Sequence, residues 1–273
     1  MEPLERVTVF CFAASYGLAL VAEFARLLQP RLILRVVSIV LGAAGLVAHL
    51  IYLVVQAPSL ASSSGSMLFL AFVLAVFWLY GSLHHAKVAW GVFVLPLVLG
   101  LIGLGLLAPG RPGGDETFWE SARGPKFWGM THGILIFLAA VGICIGFLAS
   151  VMYFVQIYRL RSKTLPGQGL KMLSLERLER MNRRAILWAF PLLTLGLIVG
   201  LGVSIQLGEL SHGWRSPKIL SALGLWVVFA ILIYLRYGAH IRPRRVALMT
   251  IVAFAVLLIA LGTAHPFLDE GAP

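Results

Sequence analysis

The chain has 273 residues, of which 60% are hydrophobic and only 12% are charged, so water cannot be the main solvent of the folded protein. This composition excludes a soluble globular protein and predicts an integral membrane protein. A net charge of +11 would suggest nucleic acid as the partner of a soluble domain, but in a membrane protein the positions of Lys and Arg report topology. We therefore expect the lipid bilayer, and no nucleic acid, among the partners.

Eight apolar segments follow one another along the chain, each about as long as a membrane-spanning helix requires. They cover residues 7–28, 33–56, 66–83, 88–108, 129–158, 185–207, 217–238 and 244–264. No segment alternates with a period of two, as the strands of an outer-membrane barrel do, and helices satisfy their own backbone hydrogen bonds in lipid. The sequence predicts an all-α, polytopic membrane bundle of about eight transmembrane helices, which we expect to form one integral membrane domain over 1–273.

The basic residues fall mainly at one side of these segments. With the N-terminus outside, 16 of the 22 Lys and Arg residues lie in inner loops or at inner helix ends, as the positive-inside rule requires. They are Arg26, Arg31, Arg35, Lys87, Arg159, Arg161, Lys163, Lys171, Arg177, Arg180, Arg183, Arg184, Arg236, Arg242, Arg244 and Arg245. An even number of helices places the C-terminus outside as well. We expect both termini on the outer face of a bacterial-type inner (cytoplasmic) membrane.

The first apolar segment carries few charges. Glu2 and Glu5 precede it, where a cleavable signal peptide would be basic, so we expect a spanning helix there. Glu23 and Arg26 are three residues apart, which predicts an i,i+3 ion pair near the inner surface.

His49 lies deep in the second segment, fourteen residues beyond Arg35 and about 21 Å along a helix that rises 1.5 Å per residue. An ionisable group is costly to expose to lipid at that depth, so His49 is predicted to face the bundle interior or a partner. Two interpretations stay open: a cofactor ligand, and a hydrogen bond to a neighbouring helix.

A basic amphipathic stretch precedes the sixth segment. Leu173 to Arg184 reads LSLERLERMNRR, and Ser174 is a suitable N-cap. We expect an amphipathic helix on the anionic inner leaflet, with a partner-docking helix as the alternative.

Small residues mark the fifth and sixth segments. Small side chains let membrane helices approach closely. We therefore predict close helix contacts at Gly133, Ala139, Ala140, Gly142, Gly146, Gly196, Gly200 and Gly202.

Two histidines are predicted at matched depth near the outer surface. His132 opens the fifth segment, which runs inward, and His265 follows the eighth, which runs outward. If these two helices are adjacent, the imidazoles could form the axial pair of a haem. Trp128, one turn before His132, belongs either to the aromatic belt of the membrane interface or to a surface covering a flat porphyrin.

The sixth segment and the polar stretch after it carry a family resemblance. Phe190 to Gly196 reads FPLLTLG inside the uncharged run Ala185–Leu207, and Trp214 follows in a short polar stretch. This arrangement resembles the CcsA/HemX-type cytochrome c assembly family of polytopic, haem-handling membrane proteins. The resemblance covers roughly residues 125–265, and the first half of the chain only in its helix pattern.

The resemblance implies that His132 and His265 hold haem beneath an aromatic lid that includes Trp128 and Trp214. His49 is a further candidate for cofactor binding. The family's outer loop is richer in Trp than the one here. Tyr234 stands where the family's next helix has an intramembrane histidine, which implies that an inner haem site is missing.

Three functions are compatible with these features. The first is a haem-binding or haem-delivery component of c-type cytochrome maturation that presents haem at the outer face by ligation rather than autonomous catalysis. Its partner would be another membrane protein of cytochrome c maturation or of a respiratory assembly. The second is a HemX-like accessory or structural subunit that binds no haem. The third, a small-solute transporter, is disfavoured because the sequence shows no internal inverted repeat.

Overall fold

The computed structural model describes residues 8–58, 62–85, 88–108, 127–162, 172–206, 217–238 and 241–263, and all regular structure within these ranges is helical. The helices are α1 Val9–Leu28, α2 Leu32–Gln56, α3 Ser63–His84, α4 Gly91–Leu107, α5 Phe127–Arg161, α6 Leu175–Gln206, α7 Pro217–Ile233 and α8 Pro243–Thr263. A π-helical turn, Tyr234–Gly238, continues α7. The predicted all-α fold is confirmed.

Seven of these eight helices are long and apolar enough to cross a membrane, when α7 is taken together with its π-helical turn as the span Ile219–Gly238. The remaining helix, α4, has 17 residues, which is the lower end of the range for a spanning helix. Large apolar side chains cover the outside of the bundle, among them Phe10, Val54, Trp188 and Ile259. Such a surface suits lipid and not water. The chain is therefore a multi-pass membrane protein.

The helices pack as two groups of four. In the first group α1 packs on α2 and α4, and α3 packs on α2 and α4; in the second, α5 packs on α6 and α8, and α7 packs on α6 and α8. Contacts of α3 with α5 and α8, and of α4 with α5, join the groups. One buried apolar cluster runs through both of them.

The first group closes around Trp78, the largest fully buried side chain of the described residues. A Cβ at Gly42 would lie 2.0 Å from Cζ3 of Trp78, so α2 approaches the indole as only glycine allows. A Cβ at Gly91 would lie 2.4 Å from Cγ of Glu23. Helices from α1 to α4 therefore meet at this ring and this carboxylate.

The predicted ion pair in α1 is confirmed. Nη1 of Arg26 lies 3.4 Å from the carboxylate oxygens of Glu23. Glu23 is buried, and the Ser38 hydroxyl donates to it at 3.0 Å. The charge is thus compensated within the bundle, as a buried carboxylate requires.

The close contacts predicted at small residues are confirmed for most of them. A Cβ would press on the neighbouring helix at Gly142, Gly146, Gly196 and Gly200, and both alanines are buried. The prediction is wrong for Gly133 and Gly202, where a Cβ would meet nothing within 4 Å. These two glycines lie on the correct helices but at positions that face away from any described neighbour.

Helices α5 and α6 are the longest, with 35 and 32 residues. At 1.5 Å per residue each is about 50 Å long, more than a hydrocarbon core of about 30 Å requires. The separate surface helix predicted at Leu173–Arg184 is wrong, because this segment forms the first turns of α6. Ser174 does cap it, accepting from the backbone N–H of Arg177 at 3.4 Å. Leu178 is buried, so the apolar face of the segment packs within the bundle instead of lying on lipid.

Cross-helix hydrogen bonds define the two ends of the bundle. Nη2 of Arg35 donates to the carbonyl of Ser82 at 3.2 Å where α2 begins and α3 ends. We call this the basic end. At the opposite end, which we call the far end, the Ser63 hydroxyl donates to the carbonyl of Leu261 at 2.8 Å. This bond joins the start of α3 to the last turn of α8.

Candidate functional site

His132 lies in the second turn of α5, half-buried against α6. Its Nδ1 is 2.7 Å from the carbonyl oxygen of Gly196. A carbonyl oxygen only accepts, so Nδ1 carries the hydrogen and the neutral ring has its lone pair on Nε2. Metal-bound histidines usually have this arrangement, with the second ring nitrogen donating to a carbonyl or carboxylate. This tautomer is the one in which an imidazole can bind a metal through Nε2.

Two glycines one helical turn apart make room for this ring. A Cβ at Gly200 would lie 2.6 Å from both Nδ1 and Cε1 of His132. A Cβ at Gly196 would lie 2.7 Å from Cδ1 of Ile136, the residue one turn after His132. The missing side chains let α5 lie close enough to α6 for a side chain to reach a main-chain carbonyl. Sequence reasoning predicted both glycines as contact positions but not their role in holding the histidine.

His265 and Trp214, the other predicted outer residues, lie outside the described residues. The helices that lead toward the two histidines are adjacent, since the rings of Phe147 on α5 and Phe254 on α8 stack with centroids 4.0 Å apart. From this contact His132 lies fifteen residues back along α5, about 22 Å. The end of α8 lies nine residues forward, about 14 Å toward the same far end of the bundle. The adjacency that the predicted pair requires is therefore present.

Trp128 shares the helix face of His132, one turn nearer the far end. Its side chain is 52% exposed, and its ring meets that of Phe127 edge-on with centroids 5.7 Å apart. An indole at this position is available to a flat ligand or to the lipid interface.

His49 is fully buried, as predicted, but it lies among α1 to α3 and away from the α5–α6 contact of His132. The Phe12 ring stacks on it at 4.0 Å, and the Phe72 ring meets it edge-on. The hydroxyl of Tyr16 is 3.4 Å from Nδ1. Of the two interpretations, the structure contains the hydrogen bond to a neighbouring helix, and aromatic side chains surround the ring.

A second polar cluster lies toward the basic end of the second helix group. Nδ2 of Asn182 on α6 is 3.1 Å from the carbonyl of Gly146, 2.8 Å from Oγ of Ser150 and 3.2 Å from Oγ1 of Thr250. A cavity with room for about one water molecule lies beside it. Within the described ranges, no three His, Cys, Asp or Glu residues come together to hold a metal ion.

The π-helical turn after α7 borders the same cavity. Arg236 of this turn pairs with Glu179 of α6, while Tyr234 is 68% exposed and rests against Gly238. Tyr234 therefore does not enter the bundle at the position where the resemblance would place an inner histidine.

Comparison with known protein families identifies a match over most of the chain. The sequence model of a family described as "Cytochrome C assembly protein" matches residues 60–264, which is 205 of the 273 residues. The match takes in helices α3 to α8, with His132, Gly196 and Gly200, and leaves α1 and α2 outside. Searches of the curated proteins and of the solved structures found no match.

Proposed function

The chain belongs to the cytochrome c assembly protein family, and from this premise we propose that it binds haem and presents it at the outer face of the membrane. Membership of the family supports a role in c-type cytochrome maturation. Haem binding, its ligands and its delivery to a cytochrome are the proposal.

The observation that carries the proposal is the hydrogen bond from Nδ1 of His132 to the Gly196 carbonyl. It fixes the tautomer with the lone pair on Nε2 and holds the ring at the far end of the bundle. Haem, when bound, would supply an iron that accepts imidazole ligands. We assign one ligand to Nε2 of His132 and the other to His265. Trp128 and Trp214 are the aromatic residues that would cover the porphyrin.

The distribution of charges supports an orientation in the membrane. The basic end is the inner face, because Lys and Arg favour the cytoplasmic side of a membrane helix. The far end, with His132, is then the outer face of a bacterial-type inner membrane, and haem would be presented there. We propose a second membrane protein of cytochrome c maturation or of a respiratory assembly as the partner, which membership of the family supports.

Haem retention in histidine variants tests this proposal. His132→Ala combined with His265→Ala should abolish haem absorbance and leave membrane insertion intact, because neither residue lies in the apolar middle of a segment. His84→Ala is the matched control, an exposed histidine at the basic end. Added imidazole should restore part of the absorbance to His132→Ala alone. Unchanged haem content in the double variant would show that residues other than His132 and His265 bind the haem iron.

If the folded wild-type protein never carries haem, the remaining function is that of an accessory subunit without haem. His132 would then serve only to join α5 to α6.

A further inference from the structure

The outer half of α6 has a weak helical preference of its own. Pro191 lacks the N–H that would bond the carbonyl four residues earlier, and three glycines follow at 196, 200 and 202. Glycine and proline are the two poorest helix formers. The geometry of this stretch therefore depends on what packs against it.

Helix α7 holds one face of the stretch. Nε1 of Trp226 donates to Oγ1 of Thr194 at 3.0 Å, and the same hydroxyl donates to the carbonyl of Phe190 at 2.9 Å. The rings of Phe190 and Trp226 stack with centroids 6.0 Å apart. Two consecutive hydrogen bonds thus connect the Trp226 indole on α7, through the Thr194 hydroxyl, to a main-chain carbonyl of α6.

Helix α5 holds another face through His132. Thr194 and Gly196 are two residues apart, which is about 200° around a helix of 3.6 residues per turn. Trp226 and His132 therefore hydrogen-bond to α6 on nearly opposite sides of the helix. A rotation of α6 that broke the Trp226 bond would also turn the Gly196 carbonyl away from the imidazole.

We propose that Trp226 and Thr194 are positioning residues for His132, because they fix the rotation of α6 that aims the Gly196 carbonyl at Nδ1. The importance of this for a ligand rests on the proposed function, but the positioning is a property of the protein without haem. In this arrangement Phe190, Thr194 and Gly196 of the FPLLTLG stretch all contribute to positioning His132.

The test reads the imidazole itself. Haem-free full-length protein is labelled with ¹⁵N-histidine, and the His132 signals are assigned by their loss in His132→Ala. Thr194→Val removes the hydroxyl at constant shape, and Trp226→Phe removes the N–H while keeping an aromatic ring against Phe190. In each, the ratio of Nδ1–H to Nε2–H tautomer at His132 should fall about fivefold, the effect of one hydrogen bond.

Three further variants sharpen the result. Thr194→Ser keeps the hydroxyl and should keep the wild-type ratio. Trp188→Phe, at an exposed position of the same helix, should also leave it unchanged. The Thr194→Val and Trp226→Phe double variant should behave like either single variant, since both break one connection.

Folded Thr194→Val or Trp226→Phe protein with the wild-type tautomer ratio would overturn the proposal. Thr194→Val keeps the shape of the side chain and Trp226→Phe keeps an aromatic ring against Phe190, and if one variant does not fold the other decides the question. Failure of haem binding in the wild-type protein would remove the proposed function without altering this readout.

Discussion

His132 on α5 and Gly196 on α6 are joined by a hydrogen bond of 2.7 Å from the imidazole to a main-chain carbonyl. The acceptor belongs to the backbone, so the bond forms only when α6 is correctly placed against α5. Placement in turn depends on Gly200, whose missing side chain leaves space for the ring. The candidate ligand is therefore oriented by helix packing.

Gly200→Ala should destabilise the protein. The new Cβ would lie 2.6 Å from two atoms of His132, and overpacking of this kind costs about 1–3 kcal/mol. Gly202→Ala is the control, because nothing lies within 4 Å of its Cβ and alanine favours a helix by about 1 kcal/mol. Thermal unfolding in detergent measures both. Equal melting temperatures for the two variants would show that the ring does not lie against Gly200.

Gly42→Ala should reduce the yield of folded protein more strongly. Its Cβ would lie 2.0 Å from Trp78, a side chain with no exposed surface. Gly17→Ala in α1 places a Cβ in open space and should fold like the wild type. Size-exclusion profiles of the detergent-solubilised protein compare the two. Full tolerance of Gly42→Ala would contradict the packing of α2 on α3.

Asn182→Leu should loosen the second helix group. Its amide bonds groups on α5 and α8, and such interhelical bonds are worth about 0.6–1.7 kcal/mol in a membrane. We expect a lower midpoint of unfolding in denaturing detergent. Thr131→Val is the matched control, since among the described residues the Thr131 hydroxyl bonds to the carbonyl of Phe127 within its own helix. A larger decrease in the midpoint of unfolding for Thr131→Val than for Asn182→Leu would show that the Asn182 amide has no special role.

Much of the fold could be predicted because apolar length alone specifies a spanning helix, and the Glu23–Arg26 pair because it is local. The segment Leu173–Arg184 was misplaced because an amphipathic pattern looks the same whether its apolar face meets lipid or a neighbouring helix. Gly202 was misassigned because composition identifies a helix but not the direction in which each residue points.

The site could be predicted only in part for a related reason. His132 is a recognisable ligand type, but its partner is a carbonyl that every residue possesses, so no sequence pattern marks it. The Thr194–Trp226 bond joins residues thirty-two positions apart, and it becomes visible only once α6 and α7 are packed together.

Cysteine labelling should establish the topology. In a background without Cys11 and Cys144, single cysteines introduced within 112–116 should react with an impermeant reagent added from outside, and those within 164–170 should not. The reason is that most Lys and Arg residues lie on the side of the second stretch. Labelling of 164–170 from outside would reverse the orientation and place His132 at the inner face.

The visible absorption spectrum of the purified, reduced full-length protein tests the central claim most directly. A haem held by His132 and a second imidazole predicts a sharp Soret band with split α and β bands, and the loss of both in His132→Ala. Folded wild-type protein without Soret absorbance after expression with a haem precursor, or a spectrum that His132→Ala leaves unchanged, would contradict the account.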